Sequence, residues 1–199
     1  MWQSKKLSIM KREYTEIRES VKNNMEKNQR EILAERFEFR QILPWEADQA
    51  VEMEQICFPP HEACTEEHMK DRIEKAPSLF LVAMDRETGK LAGLFTGLST
   101  NEDTFRDEFF VDADLYEPEG KNVMMLSLEV LPEYQGMGIA RKLVEEYCRR
   151  ERENDREQLI LTCLDAKVEM YRKMGFIDLG ISGSTWGNEE WHDMSYRLR

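Results

Sequence analysis

The sequence is poor in cysteine and histidine and has no long apolar run. Four cysteines and three histidines occur in 199 residues, and the cysteines form no CxxC pair. This spacing argues against a disulfide scaffold or a zinc ribbon. The longest apolar run, residues 79–84, has six residues, whereas a membrane helix needs roughly 18. The first ten residues also lack the apolar core of a signal peptide. We therefore expect a cytoplasmic protein with reduced thiols and no membrane partner.

Positive charge is scarce outside the N-terminal segment. Residues 1–36 hold 9 Lys and Arg against 6 Asp and Glu, a net +3, which leaves 19 against 34, a net −15, in residues 37–199. Nucleic acid is therefore an unexpected partner, because binding a phosphate backbone needs a basic face. A negative field attracts cations, so the charge favours a cationic small molecule.

Residues 1–36 read as a charged helical arm. Residues 4–35 contain no proline or glycine, and their apolar residues follow heptad spacing at Leu7, Met10, Tyr14, Ile17 and Val21. This spacing predicts a helix. The seam then reaches Asn24 and Asn28, which disfavours a long coiled coil. The arm either folds on its own domain or meets a neighbour, for instance a second copy in a homodimer.

From Phe37 the periodicity changes, and we place a second domain at residues 37–199. The pattern predicts the order β-α-α-β-β-β-α-β-α-β-β, a mixed α/β fold with a sheet flanked by helices. The predicted elements are strand 37–42, helices 44–57 and 65–75, strands 79–84, 90–99 and 123–130, helix 138–150, strand 159–163, helix 166–174 and strands 176–181 and 191–198. Between them, residues 101–120 hold eight acidic residues and one basic residue. They predict a mobile or helical insertion over one end of the sheet.

Two glycines separate a strand end from a helix start in the segment LEVLPEYQGMGIA, residues 128–140. Gly136 and Gly138 would let backbone N–H groups approach a phosphate, and the first turn of a helix adds unpaired donors. A pyrophosphate fits this arrangement. The alternative is a plain strand-to-helix turn, since the segment is neither GxGxxG nor a nucleotide P-loop.

The spacing Gln135-x-x-Gly138-x-Ala140 resembles the signature of the GNAT superfamily of N-acetyltransferases. The resemblance covers about residues 37–199. Its second half is most similar to the arylalkylamine (serotonin-type) enzymes, through the pattern Leu161-x-Cys163-x-Asp165-Ala166-x-Val168-x-x-Tyr171-x-x-x-Gly175-Phe176. The resemblance implies a mostly antiparallel sheet and acetyl-CoA as co-substrate. It also implies transfer of the acetyl group to a small amine, such as an arylalkylamine or a polyamine.

The same resemblance implies roles for individual residues. The pantetheine arm would pair with the strand residues Leu128, Glu129 and Val130. The pyrophosphate would be held by backbone amides of Gln135, Gly136, Met137, Gly138, Ile139, Ala140 and Arg141. Tyr171 would protonate the leaving thiolate; the alternative is a tyrosine that only packs in the core. The segment 58–64 and the insertion 101–120 would shape the acceptor pocket.

The chain departs from the arylalkylamine pattern at two positions. Histidines that relay the acceptor's proton in those enzymes correspond here to Met124 and Leu126, which accept no proton. Proton removal would then run through water towards His61, Glu62 or the acidic insertion. The alternative is a regulatory protein that binds acyl-CoA and has lost turnover.

Other patterns carry less weight. A zinc reading is suggested by the spacing of Cys57, His61, Cys64 and His68. The two prolines at 59 and 60 prevent one continuous helix, and no CxxC anchor exists, so we expect no metal. His192 falls on a predicted strand and reads as a partly buried residue. A serine hydrolase is not indicated, because no G-x-S-x-G elbow occurs.

Overall fold

A computed structural model describes residues 14, 15, 17, 18, 20, 21, 24, 27–29 and 31–199. The chain divides into two compact units, residues 1–36 and 37–199. In the first unit every described residue from 14 to 36 is helical, and a helical arm over residues 1–36 stays a prediction. The predicted seam residues Leu7 and Met10 lie outside the described residues. Tyr14, Ile17 and Val21 are exposed, so this part of the seam faces solvent.

The second unit contains the sheet and its helices. The strands are β1 (Phe37–Gln41), β2 (Phe80–Asp85), β3 (Lys90–Thr100), β4 (Asn122–Val130), β5 (Gln158–Leu164), β6 (Ile177–Ile181) and β7 (Trp191–Arg197). The α-helices are α1 (Ala47–Cys57), α2 (Glu66–Lys75), α3 (Ile139–Glu153) and α4 (Asp165–Lys173). Local signals explain several boundaries. Thr65 caps α2 by accepting a hydrogen bond from the His68 N–H at 3.2 Å, and Pro44 begins the 3-10 turn that leads into α1.

The strands form one sheet in the order β1-β2-β3-β4-β5-β7-β6. Every neighbouring pair is antiparallel except β4 and β5, which are parallel. The predicted fold, a mixed and mostly antiparallel sheet flanked by helices, is confirmed. The element order also agrees with the prediction.

Strands β4 and β5 diverge after a short paired segment. Their pairs are Asn122↔Gln158, Val123↔Leu159 and Met124↔Ile160, and no pair follows. On its other side, β4 remains paired with β3, but Thr96 and Gly97 face Ser127 and Met125, so Leu126 is an extra residue. Such a bulge bends its strand and increases the local twist. The bulge therefore lies where β4 turns away from β5.

Two glycines on β3 allow α3 to approach the sheet closely. A β-carbon at Gly93 would lie 2.9 Å from Ile139 Cγ2, and one at Gly97 would lie 2.6 Å from the Tyr147 hydroxyl. Tyr147 stacks on Phe95 with ring centroids 3.7 Å apart, and its hydroxyl donates to the Leu79 carbonyl at 3.1 Å. These contacts fix the height of α3 above β3 and β4.

The acidic insertion is anchored by aromatic residues, which its charge pattern did not reveal. It contains two 3-10 turns, Asp107–Phe110 and Ala113–Leu115. Phe105 and Phe109 are buried in one cluster with Met124 and Ile160. The insertion thus covers the paired ends of β4 and β5, and its apolar residues contribute to the core.

The four cysteines are free thiols, and three of them are buried. Burial raises the pKa of Cys57, Cys64, Cys148 and Cys163 to about 12. These thiols are therefore protonated at neutral pH. Among the helices of the described residues, none has the length and apolar content needed to span a bilayer.

Removing residues 1–30 tests the predicted arm. Every described residue from 14 to 29 is exposed, so we expect the remaining chain to fold with an unchanged free energy of unfolding. If the exposed seam joins two copies, light scattering will report a dimer for the full chain and a monomer for the truncated one. A truncated chain that does not fold would show that the arm belongs to the core of the domain.

Candidate active site

The connection from β4 to α3 forms a glycine-containing loop. It begins with a 3-10 turn, Pro132–Tyr134, and continues through Gly136 and Gly138 at φ 78° and 91°. These are left-handed conformations that favour glycine. A β-carbon at Gly136 would meet no heavy atom of the described residues within 4 Å. The backbone is therefore open on this side and accessible to a ligand.

The loop delivers the N-terminus of α3 to this open space. The first bond within the helix is donated by the Lys142 N–H to the Gly138 carbonyl at 3.1 Å. The N–H groups of Ile139, Ala140 and Arg141 consequently have no partner of the i−4 type. The first turn of α3 carries no acidic residue, and Arg141 and Lys142 are basic. The helix end is suited to an anion.

Three hydrogen bonds hold the loop in place. The Tyr134 hydroxyl donates to Asp85 Oδ2 at 2.9 Å, which fixes the loop to the end of β2. Gln135 Nε2 donates to the Val130 carbonyl at 3.1 Å, so this side chain bridges the two ends of the loop. Arg141 donates to the Lys173 carbonyl at 3.1 Å and joins α3 to α4. The side chain of Gln135 therefore has a structural contact of its own.

The strand residues singled out from the sequence lie where β4 has left β5. Leu128 and Val130 are partly exposed, whereas Glu129 is 1% exposed. Alternation along the strand places Glu129 on the opposite face from its two neighbours. The backbone of residues 125–130 has no strand partner on the β5 side, so an extended ligand could add there as a strand.

Tyr171 lies on α4, on the β5 side of this gap. It is 8% exposed and packs edge-on against Phe176, with ring centroids 5.4 Å apart. Burial raises the pKa of Tyr171, and the neighbouring Cys163 thiol adds to the shift. The phenol therefore keeps its proton at neutral pH and is chemically a proton donor.

Three loops of the domain are in contact with one another. The Trp186 indole N–H donates to the Glu62 carbonyl at 2.9 Å, and the Trp186 ring lies 5.0 Å from Phe110. Asp107 accepts a hydrogen bond from the Thr185 N–H at 3.1 Å. The contacts join the α1–α2 loop (residues 58–65), the insertion and the β6–β7 loop (residues 182–190). The sequence analysis did not assign the third loop to the acceptor pocket, although Trp186 hints at an apolar pocket there.

His61 is exposed and lies between two carboxylates. Its Nε2 atom is 3.5 Å from Glu62 Oε1 and 3.6 Å from Glu189 Oε1. Ligand atoms of these three residues lie within 4.8 Å of one another. Of the four residues whose spacing suggested zinc, only His61 belongs to this group. Cys64 is buried and Cys57 is partly buried.

Met124 and Leu126, which correspond to histidines in the arylalkylamine enzymes, also make apolar contacts. Met124 is fully buried, and Leu126 packs against the same cluster of insertion residues. On β7, His192 is partly buried, with Nδ1 3.3 Å from Asp178 Oδ1 and Nε2 3.6 Å from Asp165 Oδ1. Its partial burial agrees with the prediction, while its two carboxylate neighbours were not anticipated.

The sheet thus separates between two parallel strands, beside a glycine loop at a helix N-terminus. Residues 41–176 match the model of the Acetyltransferase (GNAT) family, and the chain belongs to this family. Among curated protein sequences, none matches the chain significantly. The arylalkylamine subgroup suggested by the sequence motif stays a prediction.

Solved structures show the same fold at low identity. The loading GNATL domain of CurA from Lyngbya majuscula superposes with a TM-score of 0.71 at 14% identity, covering 81% of this chain and 98% of that chain. The GphF GNAT-like decarboxylase in complex with isobutyryl-CoA gives 0.68 at 15% identity, covering 81% and 100%. The phosphinothricin acetyltransferase of Sinorhizobium meliloti in complex with AcCoA gives 0.59 at 17% identity, covering 81% and 88%.

Replacing Gly136 by valine tests the loop as the site for coenzyme A, the ligand predicted from the sequence. The side chain would enter the open space above the loop, and we expect the Kd for coenzyme A to rise on the order of tenfold or more. Gly89→Val is the matched control, because Gly89 also has a positive φ, 68°, with no heavy atom within 4 Å of its added β-carbon. Calorimetry that finds equal coenzyme affinity in both variants would remove the phosphate assignment.

Proposed function

We propose that this protein is an N-acetyltransferase that moves an acetyl group from acetyl-CoA to the amine of a small molecule. One observation carries the proposal. The gap between β4 and β5 leads to the open glycine loop at the N-terminus of α3, with Tyr171 on its β5 side. We infer that the gap would receive the pantetheine arm, the loop its pyrophosphate and Tyr171 the proton-donor role.

The coenzyme would be held almost entirely by backbone groups. The Gln135 N–H already donates to the Pro132 carbonyl at 3.3 Å, so the N–H groups of Ile139, Ala140 and Arg141 suit the pyrophosphate better. The backbone of residues 128–130, which has no strand partner on the β5 side, suits the amides of the pantetheine arm. Acetyl-CoA supplies the acetyl group as a thioester. Similar structures described in complex with AcCoA and isobutyryl-CoA support this assignment.

Tyr171 would act as the general acid. The phenol carries its proton at neutral pH and would give it to the thiolate that leaves when the thioester is cleaved. Proton donation by a positioned side chain contributes about 10²-fold or more to a rate. The alternative, a tyrosine that only packs in the core, predicts no such contribution to the rate.

The acceptor would enter at the end of the sheet where the three loops meet. Glu62, Asp107 and Glu189 make this end acidic, which favours a cation, and Trp186 with Phe110 offers an aromatic wall. These features support a small amine such as an arylalkylamine or a polyamine. Since Met124 and Leu126 accept no proton, we propose that the amine loses its proton through water towards His61 or the nearby carboxylates.

A second candidate is a regulatory protein that binds acyl-CoA without efficient transfer. It is favoured by the full burial of Met124 beneath the insertion, which removes a direct base from β4. Incubation with acetyl-CoA, a thiol-detecting reagent and a panel of amines separates the two candidates. Firm acetyl-CoA binding without thiol release for any amine would favour the regulatory function.

Tyr171→Phe tests the general acid. We expect a loss of acetyl-transfer rate on the order of 10²-fold with a nearly unchanged Kd for coenzyme A, because the hydroxyl alone is removed. Tyr196→Phe is the matched control: Tyr196 also packs against Phe176, but its hydroxyl accepts from Arg152 away from the gap. Equal rates in the two variants would make Tyr171 a packing residue.

The pH dependence of transfer tests the route of the acceptor's proton. With an alkylamine, whose pKa is about 10, kcat/KM should rise between about pH 7 and 9, because the neutral amine is the nucleophile. A plateau by about pH 7 that disappears in His61→Ala would instead identify His61 as the base. His68→Ala, on the adjacent helix α2, is the control.

A further inference from the structure

Two buried carboxyl groups meet behind β4, on the face opposite Leu128. Glu54 of α1 is 5% exposed and Glu129 is 1% exposed. Glu54 Oε1 accepts from the Cys64 N–H at 2.8 Å, and Glu129 Oε1 accepts from the Ser127 hydroxyl at 2.6 Å. Both Oε2 atoms are buried, and neither accepts from a donor group in the part of the chain that the structure describes.

One proton explains both unsatisfied oxygens. Burial raises the pKa of Glu129 well above its ordinary value, and Glu54 raises it further through its charge and a hydrogen bond between the two carboxyl groups. Two carboxylates in contact inside a protein do not both ionise at neutral pH. A proton on Glu129 makes it a donor to Glu54, so that one buried carboxyl group donates and the other accepts.

The surrounding charges agree with one proton on Glu129. The buried guanidinium of Arg72 on α2 lowers the pKa of Glu129, but burial and Glu54 raise it more. The neighbouring thiols of Cys57 and Cys64 have pKa values raised to about 12 and stay neutral. One cation therefore faces two carboxyl groups, and the cluster is neutral when Glu129 keeps its proton.

The pair connects the acceptor loop to the coenzyme strand. Glu54 holds the Cys64 N–H, and Gln55 Nε2 holds the Cys64 carbonyl at 3.0 Å, so α1 fixes the inner end of the α1–α2 loop. The outer part of this loop contacts Trp186 through the Glu62 carbonyl. Glu129 lies between the residues whose backbone would bind the pantetheine arm.

We propose that Glu129 keeps its proton and donates it in a hydrogen bond to Glu54, and that this hydrogen bond sets the position of the α1–α2 loop relative to β4. Both are then positioning residues for acceptor binding. The inference rests on the proposed function, since it assigns the loop to the acceptor. The Glu129 proton itself can be measured without turnover. Its loss at alkaline pH would place two adjacent negative charges in the core and release the loop.

Infrared spectroscopy tests the Glu129 proton directly. At neutral pH the full-length protein should show the carbonyl band of an un-ionised carboxylic acid, and Glu129→Gln should lose it. Glu52→Gln, on the exposed side of helix α1, should keep the band. A spectrum without the band, or a band that survives Glu129→Gln, overturns the proposal even if no acceptor is known.

The pH dependence of folding gives a second test. A carboxyl group whose pKa is raised in the fold stabilises the protein most below its unfolded pKa, about 4.5, and loses that contribution as pH rises towards the folded value. The folding equilibrium constant of the parent should fall by up to about tenfold per pH unit relative to Glu129→Gln in this window. Identical pH profiles for the two proteins would contradict a raised pKa.

Kinetics then test the positioning role. Glu129→Ala leaves Glu54 buried without its partner, and we expect the KM for the acceptor to rise on the order of tenfold with little change in the Kd for coenzyme A. Glu129→Gln can donate to Glu54 and accept from Ser127, so it should raise this KM less. If Glu129→Ala leaves the acceptor KM unchanged while the infrared band is lost, the pair has no positioning role.

Discussion

The separation of β4 from β5 is the constraint on which the rest of the site depends. Sheet strands normally satisfy their backbone groups on both sides, but β4 continues for six residues after its last pair with β5. The bulge at Leu126 turns β4 away, while continued pairing with β3 keeps it rigid. The result is a backbone edge without a strand partner inside an otherwise regular sheet. Ligand recognition can therefore rely on main-chain groups and needs few particular side chains.

The position of α3 completes this arrangement. Its N-terminus reaches the open end of the gap because Gly93 and Gly97 let the helix lie against β3, with Tyr147 packed on Phe95. A larger residue at either glycine would push α3 outward and separate its N–H groups from the strand edge. Packing on β3, remote from any ligand, thus sets the geometry of the anion site.

Local signals explain why much of the fold could be predicted. Thr65 as a cap, the left-handed Gly138 at the start of α3 and the alternation in β4 depend on neighbours in sequence, and the structure confirms the elements that they indicated. The bulge, the anchoring of the insertion by Phe105 and the contact of Trp186 with Glu62 depend on distant residues. The periodicity of the sequence does not predict contacts between residues that are far apart in the chain. Glu54 is an intermediate case. It occupies the apolar face of α1 next to Met53. A carboxylate at such a position indicates a buried partner, but the sequence does not show which residue that partner is.

Proton affinities divide the site into two regions. Next to the gap, burial raises the pKa of Tyr171 and of Glu129, and β4 also carries Met124 and Leu126, which have no titratable group. At the loops, His61 and the carboxylates of Glu62 and Glu189 are close together and reach solvent. In the proposed function, Tyr171 would be the buried acid and the exposed groups at the loops would accept the proton of the amine. Because these acceptors lie at the surface and not on the strand, the proposal has the amine lose its proton before or during entry, so that it reaches the gap already neutral.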